Sequence, residues 1–284
     1  MHISSGRWVY GFFLTLLTAL LWGILPIKLK QVLQVMDPIT VTWFRLTVAG
    51  GCLFVYLAAT RRLPSRKVLG PRGGWLVGMA VCGLVGNYVL YLVGLKLLSP
   101  GTAQLVVGLF FNQRLEELLT SLGSYTAGVL TVLLATSVWV FYALGQKQLL
   151  TVWNSLQVMM VIYLTCALLL TPWAHPLQAL QLSPLQGWLL LACCMNTLVA
   201  YGAFAEALAH WEASRVSATL ALMPLVTFVA VALAAWLWPD YVQAEEINAL
   251  GYAGALVVVL GSATVALAPS LLAGLKARRL RLAS

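Results

Sequence analysis

Charge is what this sequence has least of. Only 9% of its 284 residues are Asp, Glu, Lys or Arg, and just eight of them are acidic; a soluble domain carries roughly a quarter charged residues. Apolar residues make up 61% and mean hydropathy is +0.91. A single water-exposed core cannot bury that much apolar surface, so the bilayer is the solvent. Histidine is also scarce. His2, His175 and His210 are the only three, and none stands with a plausible serine or cysteine nucleophile. There is no phosphate-binding loop, so no catalytic set, ATP hydrolysis or cofactor is expected. The five cysteines, Cys52, Cys82, Cys166, Cys193 and Cys194, lie inside apolar segments without a CxxC pair. They read as packing residues rather than disulfides or metal ligands.

What the chain has is long apolar runs. A membrane-crossing helix needs about 20 mainly apolar residues. Such runs fall at 8–29, 41–60, 74–98, 124–146, 153–172, 185–209, 214–238 and 247–269, which predicts an all-α integral membrane protein with about eight complete spans. A ninth run, 103–111, is too short to cross. The first run lacks a small-x-small cleavage site and reads as a span rather than a cleavable leader.

The net charge of +9 does not point to nucleic acid, because the basic residues cluster between apolar spans. With the N-terminus inside, Arg7, the 61–72 loop, Lys147, Arg215 and the 276–281 tail all fall on the cytoplasmic side. That places 12 of the 17 basic residues there and predicts a multi-pass inner-membrane protein with both termini cytoplasmic. The opposite turn, 239–246, carries Asp240, Glu245 and Glu246 and no Lys or Arg. Clustered basic residues also suit anionic lipid headgroups. Trp8, Trp43, Trp75, Trp153, Trp173, Trp188, Trp211, Trp236 and Trp238 sit near span ends, as an interfacial belt does. Trp22 and Trp139 do not.

Those two tryptophans mark an internal repeat. Trp22 precedes Lys30-Gln31 by eight residues, and Trp139 precedes Lys147-Gln148 by the same interval. Lys30 falls outside and Lys147 inside, so the halves cross in opposite senses, a mark of secondary transporters whose site lies between the repeats near the midplane. Trp22-Gly23, Arg45 near the start of the second helix, and Leu220-x-x-x-Pro224 occur in an order that resembles the EamA-type branch of the drug/metabolite transporter superfamily. The resemblance covers nearly the whole chain. It implies ten helices in two inverted five-helix repeats, and carriage of amino acids, amines, sugars or related metabolites, often outward. The chain departs from the family at Trp238-Pro239-Asp240, where a glycine-glutamate pair is usual.

On this reading residues 1–118 form the first repeat and 119–284 the second, with its basic cytoplasmic tail. The first repeat passes from Val107 directly to Gly108-Leu109-Phe110-Phe111-Asn112 and lacks about 40 residues, one helical hairpin, that its partner has. The working protein is expected to contain that hairpin, so the Cα atoms of Val107 and Gly108 should lie well beyond the roughly 3.8 Å of a trans peptide. A normal bond there would instead make the chain a deletion with eight spans.

Candidate substrate-binding residues are polar or aromatic groups inside spans: Trp22, Arg45, Asn87, Tyr91, Trp139, Asn196 and Tyr201. Arg45 suits a carboxylate or phosphate, though it lies close enough to a helix end to snorkel. Asn87 and Tyr91 share a helix face at i and i+4 and serve equally well as helix glue. Glu206, with His210 one turn on, is the candidate proton or cation site, or a locally satisfied pair. Pro224 is the candidate gating residue, and Gly50-Gly51 would allow close helix packing. The partners implied are a small-molecule substrate, the bilayer and, through Glu206, protons. The expected activity is secondary transport of amino-acid-like or amine solutes, outward, by alternating access. The alternative is a membrane enzyme or lipid-modifying protein built around His175 or the 240–246 turn.

Overall fold

A computed structural model describes residues 7–65, 70–98, 100, 123–242 and, further on, 256–257, 260–261 and 264. The helices are α1 (Trp8–Val32), α2 (Pro38–Ala59), α3 (Gly70–Leu97), α4 (Ser124–Leu149), α5 (Ser155–Leu170), α6 (Pro184–His210), α7 (Ala213–Leu220) and α8 (Met223–Leu237). Two 3-10 segments, Thr171–Trp173 and Pro176–Gln181, join α5 to α6. Among the described residues there is no strand, and seven helices are long and apolar enough to cross a membrane, α7 and α8 counting as one. They coincide with seven of the eight expected spans. The five described positions of the eighth, 247–269, are helical. The Val107–Gly108 join and the 103–111 run lie outside the described residues.

Helix starts follow from local chemistry. Asp37 accepts from the amides of Ile39 and Thr40 ahead of Pro38 in the first turn of α2, satisfying donors that a helix N-terminus leaves open. Asn154 with Gln157, and Ser183 with Gln186, form capping boxes on α5 and α6. The exposed flanks are apolar: Phe13, Val55, Leu134, Phe141, Leu168 and Val229 all point outward, where lipid replaces water.

The helices pair across the halves. α3 packs along α4, α1 along α6, and α2 along α5. Exchanging α1 with α4, α2 with α5 and α3 with α6 reproduces the same set of pairs. Glycine sets the tightest of these contacts. A Cβ on Gly83 of α3 would stand 2.3 Å from the Tyr142 amide nitrogen of α4, so only glycine permits this approach. A Cβ on Gly50 would meet the Leu164 side chain of α5 at 2.9 Å, but nothing stands within 4 Å of a Cβ on Gly51. Only the first of that glycine pair serves packing.

Two other expectations change. Trp153 and Trp211 are buried, each 7% exposed, rather than interfacial. Trp211 covers Gly11 and meets Phe12 edge to face at 5.8 Å; the Trp153 ring N–H donates to the Ser65 carbonyl at 3.3 Å. Leu220 and Pro224 do not share one continuous helix. The backbone turns at Ala221 and Leu222, and Pro224 falls in the first turn of α8, where its missing N–H costs nothing.

Candidate functional site

The centre of the bundle is a cluster of rings around Tyr201 of α6. Its ring centroid lies 4.7 Å from that of Trp22, 5.7 Å from Tyr88, 6.2 Å from Tyr142 and 6.3 Å from Tyr163. Phe204, one turn further along α6, meets Trp22 at 5.3 Å and Trp139 at 6.0 Å. These are the tilted and edge-to-face separations that aromatic quadrupoles favour. The cluster draws on five helices, α1, α3, α4, α5 and α6, and Trp22 and Trp139 face one another's neighbours within it.

Arg45 reaches this cluster from the second turn of α2. Its side chain turns away from the near membrane face: Nε donates to Thr197 Oγ1 at 2.9 Å, halfway along α6, and the guanidinium carbon stands 4.5 Å from the Tyr88 ring centroid. The residue is 2% exposed. Snorkelling is therefore not its geometry; a cation over a tyrosine face inside the bundle is. Lys28 comes in from the last turns of α1 and donates from Nζ to Asn196 Oδ1 at 3.3 Å. Two residues on, Lys30 faces another way and donates to the carbonyls of Leu95, Lys96 and Leu98 at 2.7, 3.1 and 2.6 Å. That is a lysine closing a helix C-terminus.

The remaining candidates separate. Asn87 donates to the Ala135 carbonyl of α4 at 3.0 Å, so its amide holds α3 to α4. Tyr91 is partly buried on α3, and its hydroxyl has no hydrogen-bond partner among the described residues. Asn196 is 4% exposed and sits beside the Arg45 partner Thr197. Glu206 and His210 lie toward the opposite end of α6. One Glu206 oxygen is 3.1 Å from His210 Nε2, and the other accepts from Ser155 Oγ at 3.2 Å. Both oxygens are thus occupied, the arrangement of a satisfied pair. Ser155 stands where alignment of Trp43 with Trp153 puts the counterpart of Arg45.

The residues that sequence reasoning missed are Lys28, Thr197, Tyr142, Tyr163 and Phe204. A lysine two positions from a capping lysine carries no signal of its inward direction. Threonine and further aromatics in an apolar helix resemble ordinary packing. The one available hint is the shortage of acids to balance Lys28 and Arg45.

A separate cleft of about 590 Å³ opens sideways between the start of α3 and α5, lined by Leu63, Val77, Trp153, Met160, Leu164 and Leu168 among others. Its lining carries no ionisable side chain, and its one hydroxyl, on Thr165, donates to the Val161 carbonyl at 2.7 Å. His175 lies outside it, its amide held by Thr40 Oγ1 at 2.9 Å.

The sequence matches the model of the EamA-like transporter family over residues 9–111 and again over 126–267, the first match being 39 residues shorter. A relative in Escherichia coli (strain K12), described as "Uncharacterized inner membrane transporter YhbE", is 38% identical over 301 residues, covering 94% of this chain and 94% of that protein. One in Haemophilus influenzae, described as "Uncharacterized transporter", is 33% identical over 296 residues, covering 92% and 96% respectively. A solved crystal structure shares the fold at a TM-score of 0.61 and 16% identity, covering 91% of this chain and 97% of its own. The family model and the relatives agree on a transporter, and the seven apolar helices fit a protein that crosses the inner membrane several times and moves a small molecule through it: the chain belongs to the EamA-like transporter family.

Proposed function

We propose that this chain is a secondary transporter that moves amino-acid-like metabolites, ahead of simple amines, outward by alternating access. The observation that carries the reading is the meeting of both halves on one buried site. Trp22, Arg45 and Tyr88 come from the first half, and Trp139, Tyr142, Tyr163, Asn196 and Tyr201 from the second. A site shared in this way can be exposed to either side as the halves rock. The crossed pairing of helices and the two family matches support repeats at 1–118 and 119–284, the first shortened. The basic loops support cytoplasmic termini.

Aromatic faces suit an apolar substrate body, and Arg45 suits a carboxylate. Asn87 and Tyr91 flank the site on α3. For gating, the turn at Ala221–Leu222 followed by Pro224 is the interruption nearest the α1–α8 contact, where Thr227 Oγ1 donates to the Gly23 carbonyl at 2.7 Å. A broken helix moves more readily than a continuous one. Proton coupling, where present, would run through Glu206 and His210, which are the titratable pair beside the core.

The test is uptake and efflux in proteoliposomes against a panel of amino acids, amines and organic acids, with and without a pH gradient. Saturable movement of an amino-acid-like solute supports the reading. Failure of a folded, correctly inserted protein to move any of them refutes it.

A further inference from the structure

We infer that Lys28 and Arg45 together form an oxyanion clamp, which takes the carboxylate of a soluble organic acid whose apolar body lies against Tyr88, Tyr201 and Trp22. The inference rests on the transport reading and narrows its substrate class.

The two cations come from different helices and reach adjacent residues of α6, Lys28 to Asn196 at 3.3 Å and Arg45 to Thr197 at 2.9 Å. A charge inside a membrane bundle is costly and calls for a partner. Among the described residues no carboxylate supplies one. Asp37 is held by the start of α2, Glu206 by His210 and Ser155, and Glu212 by Arg215 at 3.1 Å, while Asp240 is exposed.

The hydrogen-bond inventory is equally one-sided. Arg45 has five N–H groups and places one on Thr197; Lys28 has three and places one on Asn196. Each of those two acceptors already receives one of the cations, Asn196 Oδ1 from Lys28 and Thr197 Oγ1 from Arg45. The Asn196 amide nitrogen, in a residue 4% exposed, has no hydrogen-bond partner among the described residues. Unused N–H donors therefore gather along one stretch of α6. The complementary ligand is a group with several lone pairs and negative charge, and a carboxylate meets an arginine fork in a bidentate way. An ammonium group brings only donors and a like charge. The ring beneath Arg45 and the neighbouring Tyr201 and Trp22 add flat apolar wall.

The test uses the purified full chain in neutral maltoside detergent, with binding read from tryptophan fluorescence and thermal shift. Three matched probes differ only at the head: 3-phenylpropanoate, 3-phenylpropanamide and 3-phenylpropylamine. The acid is expected to bind saturably, with the amide and amine at least about tenfold weaker. Lys28→Gln should weaken the acid about tenfold while leaving the amide unchanged, and Lys28→Arg should restore most of the loss. The restored variant separates a charge effect from misfolding. Equal binding of acid and amide, indifference to Lys28→Gln, or no acid binding at about 10 mM would overturn the clamp. So would engagement of the site by phosphatidylglycerol that the acid cannot displace, since the oxyanion would then be a lipid headgroup. Acid binding without transport in proteoliposomes would keep the clamp and sink the transport reading. Equal transport of acid and amide would do the reverse.

Discussion

Two places along α6 gather ionisable groups, and they are built in opposite ways. Toward the C-terminal end, Glu206 has both oxygens taken, by His210 and by Ser155. Near the middle, Arg45 and Lys28 meet on Thr197 and Asn196 with no described carboxylate to answer them. The first arrangement is complete without a ligand; the second is short of acceptors. The difference teaches how to separate structural from functional charge in a membrane protein. An intramembrane charge whose partners are all supplied by the fold stabilises that fold. One left with surplus donors is a cost that substrate binding can offset.

Arg45→Met gives the largest expected contrast. It replaces an uncompensated cation with an apolar side chain of similar reach, so stability in detergent should stay level or rise, by up to about 4 kcal/mol. Transport of a carboxylate solute should meanwhile fall by more than about tenfold, roughly 1.4 kcal/mol or more of binding. A protein destabilised by Arg45→Met would make Arg45 a structural residue like Glu206 and dissolve the comparison.

Asp37→Ala should cost about 1 kcal/mol through the lost cap of α2. Burial alone would raise the Asp37 pKa, but hydrogen bonds from the Thr40 hydroxyl and the amides of Thr40 and Ile39, with His175 nearby, outweigh it and hold the carboxyl below its ordinary value of 3.8. A depressed folded pKa means that the carboxylate's stabilisation is fully present above the unfolded value and is lost as pH falls through the folded one. Thermal melts from pH 6 down to about pH 3 should therefore lose part of their acid sensitivity in Asp37→Ala.

Glu206→Leu should destabilise by about 1 kcal/mol or less, because the pair is partly exposed, and should leave affinity for a carboxylate probe within about twofold. A tenfold loss of affinity would move Glu206 into the substrate site. The smallest effect belongs to Asn87→Leu, which gives up one interhelical hydrogen bond worth about 1 kcal/mol or less and should leave the KM for transport unchanged.

The spans were legible because length and hydropathy alone define them. Their proposed direction rests on the crowding of Lys and Arg in one set of loops. Side-chain direction was not. Lys28 and Lys30 are two residues apart and so face about 200° apart on a helix; one enters the core and the other caps α3, and hydropathy treats them alike. Trp153 and Trp211 have the right positions for an interfacial belt, yet each covers a neighbouring backbone instead, a fact that depends on which helix packs alongside. Asn87 was readable as a polar residue within a span, but its bond to Ala135 depends on the α3–α4 approach that Gly83 permits. Arg45 was recognised as a candidate from its cost alone; that it turns inward, to Thr197, required the packing of α2 on α6.

The most direct measurement is uptake of one carboxylate-bearing solute into proteoliposomes by wild-type protein, Arg45→Lys, Arg45→Ala and Glu206→Gln at matched, correctly inserted levels. The account predicts saturable uptake by wild type, reduced but measurable uptake by Arg45→Lys, loss of most uptake by Arg45→Ala, and near wild-type KM for Glu206→Gln. Wild-type uptake by Arg45→Ala would contradict it.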